Sequence, residues 1–182
     1  MIMRNISDTE LGRIAQKIKL LVLDVDGVLT DGSIILDNKN NELKSFHVRD
    51  GHGIKMLINA GIRVALITGR HSKVVERRAL ELGIKDIFQA CYDKRVAYRD
   101  LSVKYSLNSD EIAYVGDDIV DIPVLIMCGL PVAVSDADDE VKAFAKMVTN
   151  KRGGKGAVRE ICDFLLKAKG LWKEILDGYS KT

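Results

Sequence analysis

Two aspartates follow directly on an apolar run near the start of the chain, in the segment "LVLDVDG" at positions 21–27. An apolar run of this kind is typical of a buried strand, and a carboxylate buried without a partner is strongly destabilising. Asp24 and Asp26 are therefore expected to face a positively charged species. Carboxylates placed in this way can bind a metal ion, attack an electrophile or exchange protons with a substrate.

Three further polar segments come directly after later apolar runs. They are Thr68, Gly69 and Arg70 after "RVALI", Lys94 after "IFQACYD", and Gly116, Asp117 and Asp118 after "IAYV". Ligands of an open parallel sheet bind beyond the carboxyl ends of its strands. If these runs are parallel strands, all of the polar segments meet at one edge of the sheet.

Three carboxylates at one place repel each other unless a cation joins them, and Asp24, Asp26 and Asp117 are the candidates. Oxygen ligands without histidine or cysteine favour a hard ion, Mg²⁺, which often binds few carboxylates together with a substrate phosphate. The Lys94 ammonium and the Thr68 hydroxyl would then contact phosphoryl oxygens. The combination predicts magnesium-dependent chemistry on a phosphate.

Each segment alone also has a purely structural explanation. The Asp-Val-Asp segment could be a helix cap or a surface turn, Gly-Asp-Asp is a common turn composition, and Lys94 could lie on a solvated helix face. Thr68 could simply end its strand. The fixed order of the segments, most of them after an apolar strand, favours the functional interpretation.

The rest of the chain alternates between apolar strand patterns and helical patterns. A capping box at Ser7 predicts a first helix over Asp8–Lys17. A hairpin is predicted from strands at 33–36 and 42–48. The other predicted strands are at 19–25, 63–68, 87–90, 112–118 and 131–135, and the other predicted helices at 54–59, 73–82, 94–105 and 120–127. This order predicts an α/β fold, an open doubly wound parallel sheet of the Rossmann-like kind, with a hairpin insertion and no cap domain.

Composition narrows the functional class. The chain has 182 residues, 28 basic and 26 acidic residues, and a net charge of +2, which gives no reason to expect nucleic acid or an anionic membrane as a partner. Its three cysteines, Cys91, Cys128 and Cys162, have no framework spacing and are expected to be reduced thiols. No apolar run has the length of a membrane span, and the start "MIMRNISDTELGR" does not resemble a signal peptide. A cytoplasmic protein acting on a small molecule is expected.

The motifs "DVDGV", "LITGR", Lys94 and "YVGDD" resemble, in this order, the four motifs of the haloacid dehalogenase superfamily of phosphatases. Within it, the chain is most similar to the 3-deoxy-D-manno-octulosonate 8-phosphate phosphatase family, which makes a lipopolysaccharide precursor sugar. The closer resemblance is carried by "LDVDGVLTDG", "FHVRDGHGIK", "AYVGDDIVDIPV" and "RGGKGAVREICDFLL". It covers residues 19–168 and implies a single phosphatase domain over 1–182, with a hairpin insertion at 33–48 and a C-terminal tail and helix at 151–182.

The resemblance implies a two-step reaction through an aspartyl-phosphate. Asp24 would attack phosphorus and also bind Mg²⁺. Asp26 would protonate the leaving sugar oxygen, then deprotonate the attacking water, while its backbone carbonyl binds the metal. Asp117 would be the third metal ligand, with Asp118 as a supporting carboxylate. Thr68 would hydrogen-bond the phosphoryl group, and Lys94 would offset its charge.

Sugar recognition is also implied by the resemblance. Because the substrate carries a carboxylate, arginines should bind it in a bidentate manner. The candidate positions, besides Asp26 and Lys94, are His47, Val48, Arg49, Asp50, Gly51, Lys55, Gly69, Arg70 and Arg78. The chain departs from the family pattern at His47, where asparagine is expected, and at Lys55, where arginine is expected. Arg77 and Arg78 could equally be a solvated helix face. His52 and His71 are expected to lie on the surface or to support the residues that contact the substrate, and not to be ligands themselves.

The spacing between the motifs leaves no room for a cap, so neighbouring subunits are expected to restrict water at the site. The hairpin, with the apolar "SIIL", is suited to pairing between subunits. The resemblance implies a homotetramer. The tail "KRGGKGAVRE" could close over a neighbour's substrate or simply be a loop before the last helix.

Three other functions remain open at this point. A receiver-type signalling module also uses aspartate, threonine, lysine and Mg²⁺, but there the acidic pair lies on the first strand and the phosphate acceptor on a middle one. A scaffold without activity would not need every catalytic position filled. Phosphatases for related nonulosonic (sialic-type) acid 9-phosphates are the nearest alternative, because the length of the sugar is recognised by shape.

Overall fold

The fold is built on one six-stranded sheet whose strands are all parallel. A computed structural model describes residues 8–39 and 41–180. The sheet contains β1 (Leu20–Leu23), β4 (Arg63–Ile67), β5 (Asp86–Phe88), β6 (Ile112–Gly116), β7 (Leu130–Ala133) and β8 (Met147–Val148). Their order across the sheet is β5-β4-β1-β6-β7-β8. The predicted α/β class and parallel sheet are confirmed.

The central strand β1 carries the first acidic segment because its own residues are fully apolar. All four residues of β1 are completely buried, as are most residues of its neighbours β4 and β6. A parallel strand covered on both faces gains the most from such continuous apolar runs. The chain leaves the carboxyl end of β1 at Asp24, between the ends of β4 and β6.

Helices cover the sheet. They are α1 (Asp8–Lys17), α2 (Val48–Asn59), α3 (Lys73–Leu82), α4 (Lys94–Tyr105), α5 (Ile122–Leu125), α6 (Asp139–Phe144), α7 (Ala157–Ala168) and α8 (Trp172–Ser180). One group packs α7 between α1 and α2, and another packs α4 against α5. The predicted bounds of α1, α3 and α4 are confirmed. Ser7, the predicted cap of α1, lies outside the described residues.

The hairpin insertion is shorter than the sequence predicts. It pairs β2 (Ile35–Leu36) with β3 (Glu42–Leu43), antiparallel and separate from the main sheet. The prediction that the second strand runs to Val48 is wrong, because Val48 begins α2, six residues before the predicted helix start at Ile54. Apolar residues of the hairpin, including Ile35 and Leu36, are exposed.

The early start of α2 depends on its packing against α7. Gly51 and Gly53 weaken a helix by their conformational freedom, so the local sequence argues against one. At Gly53, however, an added Cβ would lie 3.0 Å from the Cβ of Cys162 on α7. The glycine therefore permits a close helix–helix contact, and this tertiary contact outweighs the local preference.

Other differences lie towards the C-terminus. The predicted helix over 120–127 is a 3₁₀ turn at Ile119–Asp121 followed by the short α5. The elements α6 and β8 were not predicted, and the tail contains two helices, α7 and α8, where one was expected. In the described part of the chain, no helix combines the length and the apolar character needed to cross a membrane.

Candidate active site

Asp24 and Lys94 form a buried ion pair at the carboxyl edge of the sheet. Asp24 follows β1 and is 6% exposed, while Lys94 is the first residue of α4 and is 5% exposed. The Nζ atom of Lys94 lies 2.9 Å from Oδ1 of Asp24. It lies 2.6 Å from Oδ1 of Asp121, which the sequence analysis did not single out. Charges removed from water in this way are stable only when paired.

Asp121 organises this part of the site. It is fully buried, and its Oδ1 accepts a second hydrogen bond from the Tyr114 hydroxyl at 2.6 Å. Its Oδ2 accepts from the backbone N–H of Asp117 at 3.0 Å and from that of Asp118 at 3.4 Å. The available sequence signal was its place three residues after Asp118, because the 3₁₀ turn directs it back towards the end of β6.

Asp118 has a different environment from the other acidic residues. It is exposed, and its Oδ1 accepts a hydrogen bond from the Ile119 backbone N–H at 2.7 Å, which caps the 3₁₀ turn. Its predicted supporting role stays a prediction. The buried acidic residue beside Lys94 is Asp121.

Three carboxylates converge here in a way that suits a metal ion. Single oxygens of Asp24, Asp117 and Asp121 all lie within 4.8 Å of one another. Oδ1 of Asp117 is buried and has no hydrogen-bond partner among residues 8–39 and 41–180. A buried carboxylate oxygen without a partner is costly, and a hard cation is the partner that an all-oxygen donor set fits. The residues present therefore fit a magnesium ion.

Gly27 makes room for Asp117. It has a φ of +90°, and a Cβ added to it would lie 2.0 Å from Oδ2 of Asp117. A side chain at position 27 would displace that carboxylate, and the left-handed backbone also favours glycine. The turn after β1 therefore needs glycine for both reasons.

Burial and mutual repulsion set the protonation of the cluster. Burial raises the pKa of the Asp24 carboxyl to about 7, with Lys94 opposing the shift. Burial and the neighbouring Asp24 raise the pKa of Asp117 to about 8. Burial alone would lower the pKa of Lys94, but Asp24 and Asp121 together raise it above its ordinary value. Ionisation of all three carboxylates would place more negative charge here than Lys94 balances, which is why the cluster retains protons when no cation is bound.

Asp26 points away from this cluster. Its side chain is 21% exposed, and its Oδ1 contacts the Nζ atom of Lys44, which comes from the segment after β3. Its Oδ2 lies 3.8 Å from Nε of Arg70. Thr68 is buried after β4, and its hydroxyl oxygen accepts a hydrogen bond from the Arg70 backbone N–H at 3.3 Å. Asp26 and Arg70 are therefore brought together, as the strand order predicted.

The other predicted sugar-binding residues form a separate group on α2 and α3. Val48, Arg49 and Lys55 are exposed, and a Cβ on Gly51 would lie 2.4 Å from an Nη atom of Arg78, which also lies over the Phe46 ring. Hydrogen bonds or ion pairs from this group to Asp24 or Asp26 are absent in the described chain. Gly69 lies between Thr68 and Arg70 and joins the first group.

Asp50 has a structural contact that the sequence analysis did not predict. Its carboxylate accepts hydrogen bonds from the backbone N–H groups of Gly156, at 3.3 Å, and Arg159, at 2.7 Å, at the start of α7. A carboxylate at a helix start satisfies free N–H groups and interacts favourably with the helix dipole. His47 lies beside it, with Nδ1 3.9 Å from Oδ2 of Asp50.

The glycine-rich tail segment lies against the turn after β1 of its own chain. Gly154 donates a backbone hydrogen bond to the Val28 carbonyl at 2.9 Å. A Cβ on Gly153 would lie 1.7 Å from the Gly27 carbonyl oxygen. Lys155 lies 3.8 Å from Asp31. The tail thus supports the turn that carries Asp24 and Asp26.

Comparison with known proteins assigns this site to a class. The family model of haloacid dehalogenase-like hydrolases matches residues 83–161, so the fold and the site together define a hydrolase of that class. The chain is 49% identical over 156 residues to the 3-deoxy-D-manno-octulosonate 8-phosphate phosphatase of Salmonella typhi and to that of Escherichia coli K12. The match covers 86% of this chain and 83% of each relative. The chain belongs to the 3-deoxy-D-manno-octulosonate 8-phosphate phosphatase family.

Solved structures agree with this assignment. The Moraxella catarrhalis phosphatase, in complex with magnesium, phosphate and 3-deoxy-D-manno-octulosonate (KDO), superposes with a TM-score of 0.94 at 38% identity, covering 96% of this chain and 100% of that one. The Yersinia pestis phosphatase superposes with a TM-score of 0.90 at 45% identity, and the match covers 92% of this chain and 90% of that one. The cobalt-bound Haemophilus influenzae phosphatase superposes with a TM-score of 0.88 at 43% identity, and the match covers 92% of this chain and 99% of that one.

Proposed function

We propose that this chain is a magnesium-dependent phosphatase that hydrolyses 3-deoxy-D-manno-octulosonate 8-phosphate to the free sugar acid and phosphate. The observation that carries the proposal is the buried pair of Asp24 and Lys94 beside Asp117, at the carboxyl edge of the sheet. Membership of the phosphatase family and the sugar-acid complex of the Moraxella relative support the choice of substrate. The reaction would serve the synthesis of a lipopolysaccharide precursor.

In the first step, an Asp24 carboxylate oxygen forms a bond to phosphorus as the bond from phosphorus to the sugar oxygen breaks. Lys94 orients Asp24 and offsets charge on the phosphoryl oxygens, because its ammonium is buried and fixed by Asp24 and Asp121. The Thr68 hydroxyl, buried at the end of β4, would donate to a phosphoryl oxygen. The product of this step is an aspartyl-phosphate.

Asp26 serves the leaving group. Its proton passes to the sugar oxygen as that oxygen departs, and in the second step it takes a proton from the water that attacks phosphorus and releases Asp24. The different directions of the two side chains support separate roles for Asp24 and Asp26. The Asp26 carboxylate faces Lys44 and Arg70, whereas Asp24 belongs to the acidic cluster. Two aspartates two positions apart thus act on opposite sides of the phosphate.

Asp24, Asp117 and the backbone carbonyl of Asp26 would hold the magnesium ion. When bound, the ion neutralises charge on the carboxylates and on the phosphoryl group. The unpartnered oxygen of Asp117 supports this assignment. Asp121 is committed to Lys94, Tyr114 and two backbone N–H groups, so it orients the site around the ion.

Recognition of the sugar acid is assigned to two groups of residues. Arg70 stands next to Asp26 and would bind the substrate carboxylate. His47, Arg49 and Arg159 line a cavity of about 410 Å³ at the junction of α2 and α7, where the two arginines would attract an anionic group. In a homotetramer, this second group and Arg78 would reach a neighbour's site and restrict water there.

The homotetramer and a cytoplasmic location are part of the proposal. The exposed apolar side chains of the hairpin, Ile34, Ile35, Leu36 and Leu43, support an assembly in which they are covered. The three cysteines are free thiols, as is usual for a reducing compartment. Water would be excluded from each site by the neighbouring copies.

Phosphate release across a panel of substrates tests the function. The panel compares kcat/KM for KDO 8-phosphate, a nonulosonic acid 9-phosphate and a pentose 5-phosphate that lacks the carboxylate, each with Mg²⁺ and with EDTA. The expected result is the highest value for KDO 8-phosphate and loss of activity in EDTA. A higher value for the nine-carbon acid would reassign the substrate. A stable phosphoprotein without turnover would indicate a receiver-type module.

Asp24→Asn is expected to lower kcat by about 10⁴-fold or more, because it removes the group that attacks phosphorus. The fold should persist, since asparagine has nearly the same shape and Asp121 still pairs with Lys94, and circular dichroism and thermal unfolding would show this. Asp110→Asn is the matched control, because Asp110 is exposed and paired with Lys17 at the opposite end of β6. Substantial residual activity in Asp24→Asn would reject Asp24 as the nucleophile.

A further inference from the structure

A buried lysine from the hairpin reaches the leaving-group side of the site. The side chain of Lys44, one residue after β3, is only 1% exposed, although lysine is rarely buried without a partner. Its Nζ atom contacts Oδ1 of Asp26 and lies 3.5 Å from Oε1 of Glu42. The ammonium is therefore paired with two acidic side chains at the point where the hairpin meets the turn after β1.

Lys44 belongs to a set of connected charged side chains, which also contains Asp26, Glu42 and Arg70. Arg70 donates from Nη2 to Oε1 of Glu42 at 3.0 Å, and its Nε lies 3.8 Å from Asp26. The Ser72 hydroxyl donates to the other oxygen of Glu42 and is the main reason that the pKa of Glu42 is lowered. These contacts link Lys44, Arg70 and Glu42 to Asp26, and they join the hairpin to the loop after β4.

In the described chain, this set shares no ion pair with the acidic cluster of Asp24, Asp117 and Asp121. Lys94 contacts Asp24, which attacks phosphorus, whereas Lys44 contacts Asp26, which serves the departing sugar oxygen. The two buried lysines therefore divide the site between the phosphoryl group and the leaving group. A fixed cation next to the bond that breaks favours the charge that develops on the departing oxygen.

We propose that Lys44 is a positioning residue for the leaving group, which holds the Asp26 carboxyl towards the departing sugar oxygen and places a positive charge beside it. As the bond from phosphorus breaks, its electron pair goes to the sugar oxygen, which takes the proton from Asp26. Lys44 neither gains nor loses a proton. The inference rests on the proposed phosphatase function and adds a residue outside the four motifs.

The dependence of the rate on the leaving group tests this role. Lys44→Met is compared with the wild type on KDO 8-phosphate, whose leaving group is an alkoxide, and on p-nitrophenyl phosphate, whose leaving group needs little assistance. The expected result is a fall in kcat of about 10²-fold for the sugar phosphate and a much smaller change for the aryl phosphate. Lys44→Arg should recover part of the loss because it keeps the charge.

The matched control is Lys39→Met, the same change at an exposed lysine in the turn of the same hairpin, which should behave as the wild type. If Lys44→Met unfolds, it is replaced by the double variant Glu42→Gln/Lys44→Met, which removes one charge of each sign and so leaves no unpaired Glu42. Lys44→Arg is then also compared on both substrates. Equal losses on the two substrates, or no loss, would overturn the inference and leave a purely structural ion pair. A wild type inactive on sugar phosphates would overturn the proposed function instead.

Discussion

At the scale of single residues, Asp121 connects Lys94, at the start of α4, to the loop after β6 that carries Asp117. One of its oxygens holds Lys94 and the Tyr114 hydroxyl, and the other holds the backbone N–H groups that begin the loop after β6. Removing one member of a buried ion pair leaves the partner charge without compensation. Asp121 is therefore expected to matter for stability as well as for the geometry of Lys94.

Asp121→Ala should lower the free energy of unfolding by about 3 kcal/mol, measured by urea unfolding in the presence of Mg²⁺. The control is Asp118→Ala, which removes an exposed cap and should cost about 1 kcal/mol or less. If the two variants are equally stable, the buried network around Asp121 does not contribute as the contacts indicate.

The acidic cluster predicts an unusual dependence of stability on pH. The pKa values of Asp24 and Asp117 are raised to about 7 and about 8 from an ordinary value of 3.8. At pH values between the ordinary pKa of 3.8 and the raised pKa values, these two carboxyl groups are protonated in the metal-free folded state but ionised in the unfolded chain. The free energy of unfolding must then fall as the pH rises through this range.

Urea unfolding in EDTA is expected to show this fall between about pH 5 and about pH 8, and saturating Mg²⁺ should remove most of it because binding favours the ionised carboxylates. Asp117→Asn, which removes one of the two groups, should flatten the profile in EDTA. A profile in EDTA that is flat for the wild type would contradict the raised pKa values.

At the scale of elements, the candidate site lies at the carboxyl ends of β1, β4 and β6. The turn after β1 is contacted by the hairpin through Lys44 and by the glycine-rich tail through Gly153 and Gly154. Asp50 on α2 caps the start of α7, which fixes the glycine-rich segment before that helix. Gly153 and Gly154 then pack directly on the turn after β1. The helix α7 therefore positions the turn that carries Asp24 and Asp26.

Gly153→Ala should separate the tail from the turn, since its Cβ would lie 1.7 Å from the Gly27 carbonyl oxygen and backbone must move. We expect a loss of about 1–3 kcal/mol of stability together with a lower kcat. Gly12→Ala is the matched control, because the helical Gly12 has open space around its Cβ position and should gain about 0.5–1 kcal/mol. Full activity of Gly153→Ala would show that this contact does not position the turn.

At the scale of the whole molecule, each chain presents apolar side chains that a monomer would leave in water. Leu36 is 61% exposed and Leu43 is 57% exposed, both on the hairpin that also delivers Lys44 to the site. Covering this surface in an assembly would stabilise both the hairpin and the position of Lys44.

Leu36→Lys should dissociate the proposed tetramer, because it places a charge on a covered apolar surface. Light scattering should give the wild type four times the 20.2 kDa mass of the chain and give the variant a smaller mass with lower kcat/KM. Val103→Lys, at an apolar residue of α4 that is 80% exposed, should remain a tetramer. A wild-type monomer with full activity would reject the assembly.

Local patterns were sufficient to predict the parallel-sheet scaffold and the edge of the sheet at which its polar residues meet. The apolar run before Asp24 predicted a buried parallel strand, and the polar residues after three such runs predicted that Asp24, Thr68 and Asp117 share one edge. These inferences succeed because strand burial and the direction of a parallel sheet depend on residue types over a few positions. The family resemblance narrowed the substrate.

Only the tertiary structure decided which side chains face each other. The contact of Asp50 with Arg159 joins positions 109 residues apart, and Lys44 meets Asp26 only because the hairpin folds back on the site. Likewise, α2 begins at Val48 although it contains two glycines, because Gly51 permits a close contact with α3 and Gly53 a close contact with α7. Such contacts depend on how distant elements pack, and the periodicity of a local pattern carries no information about that packing.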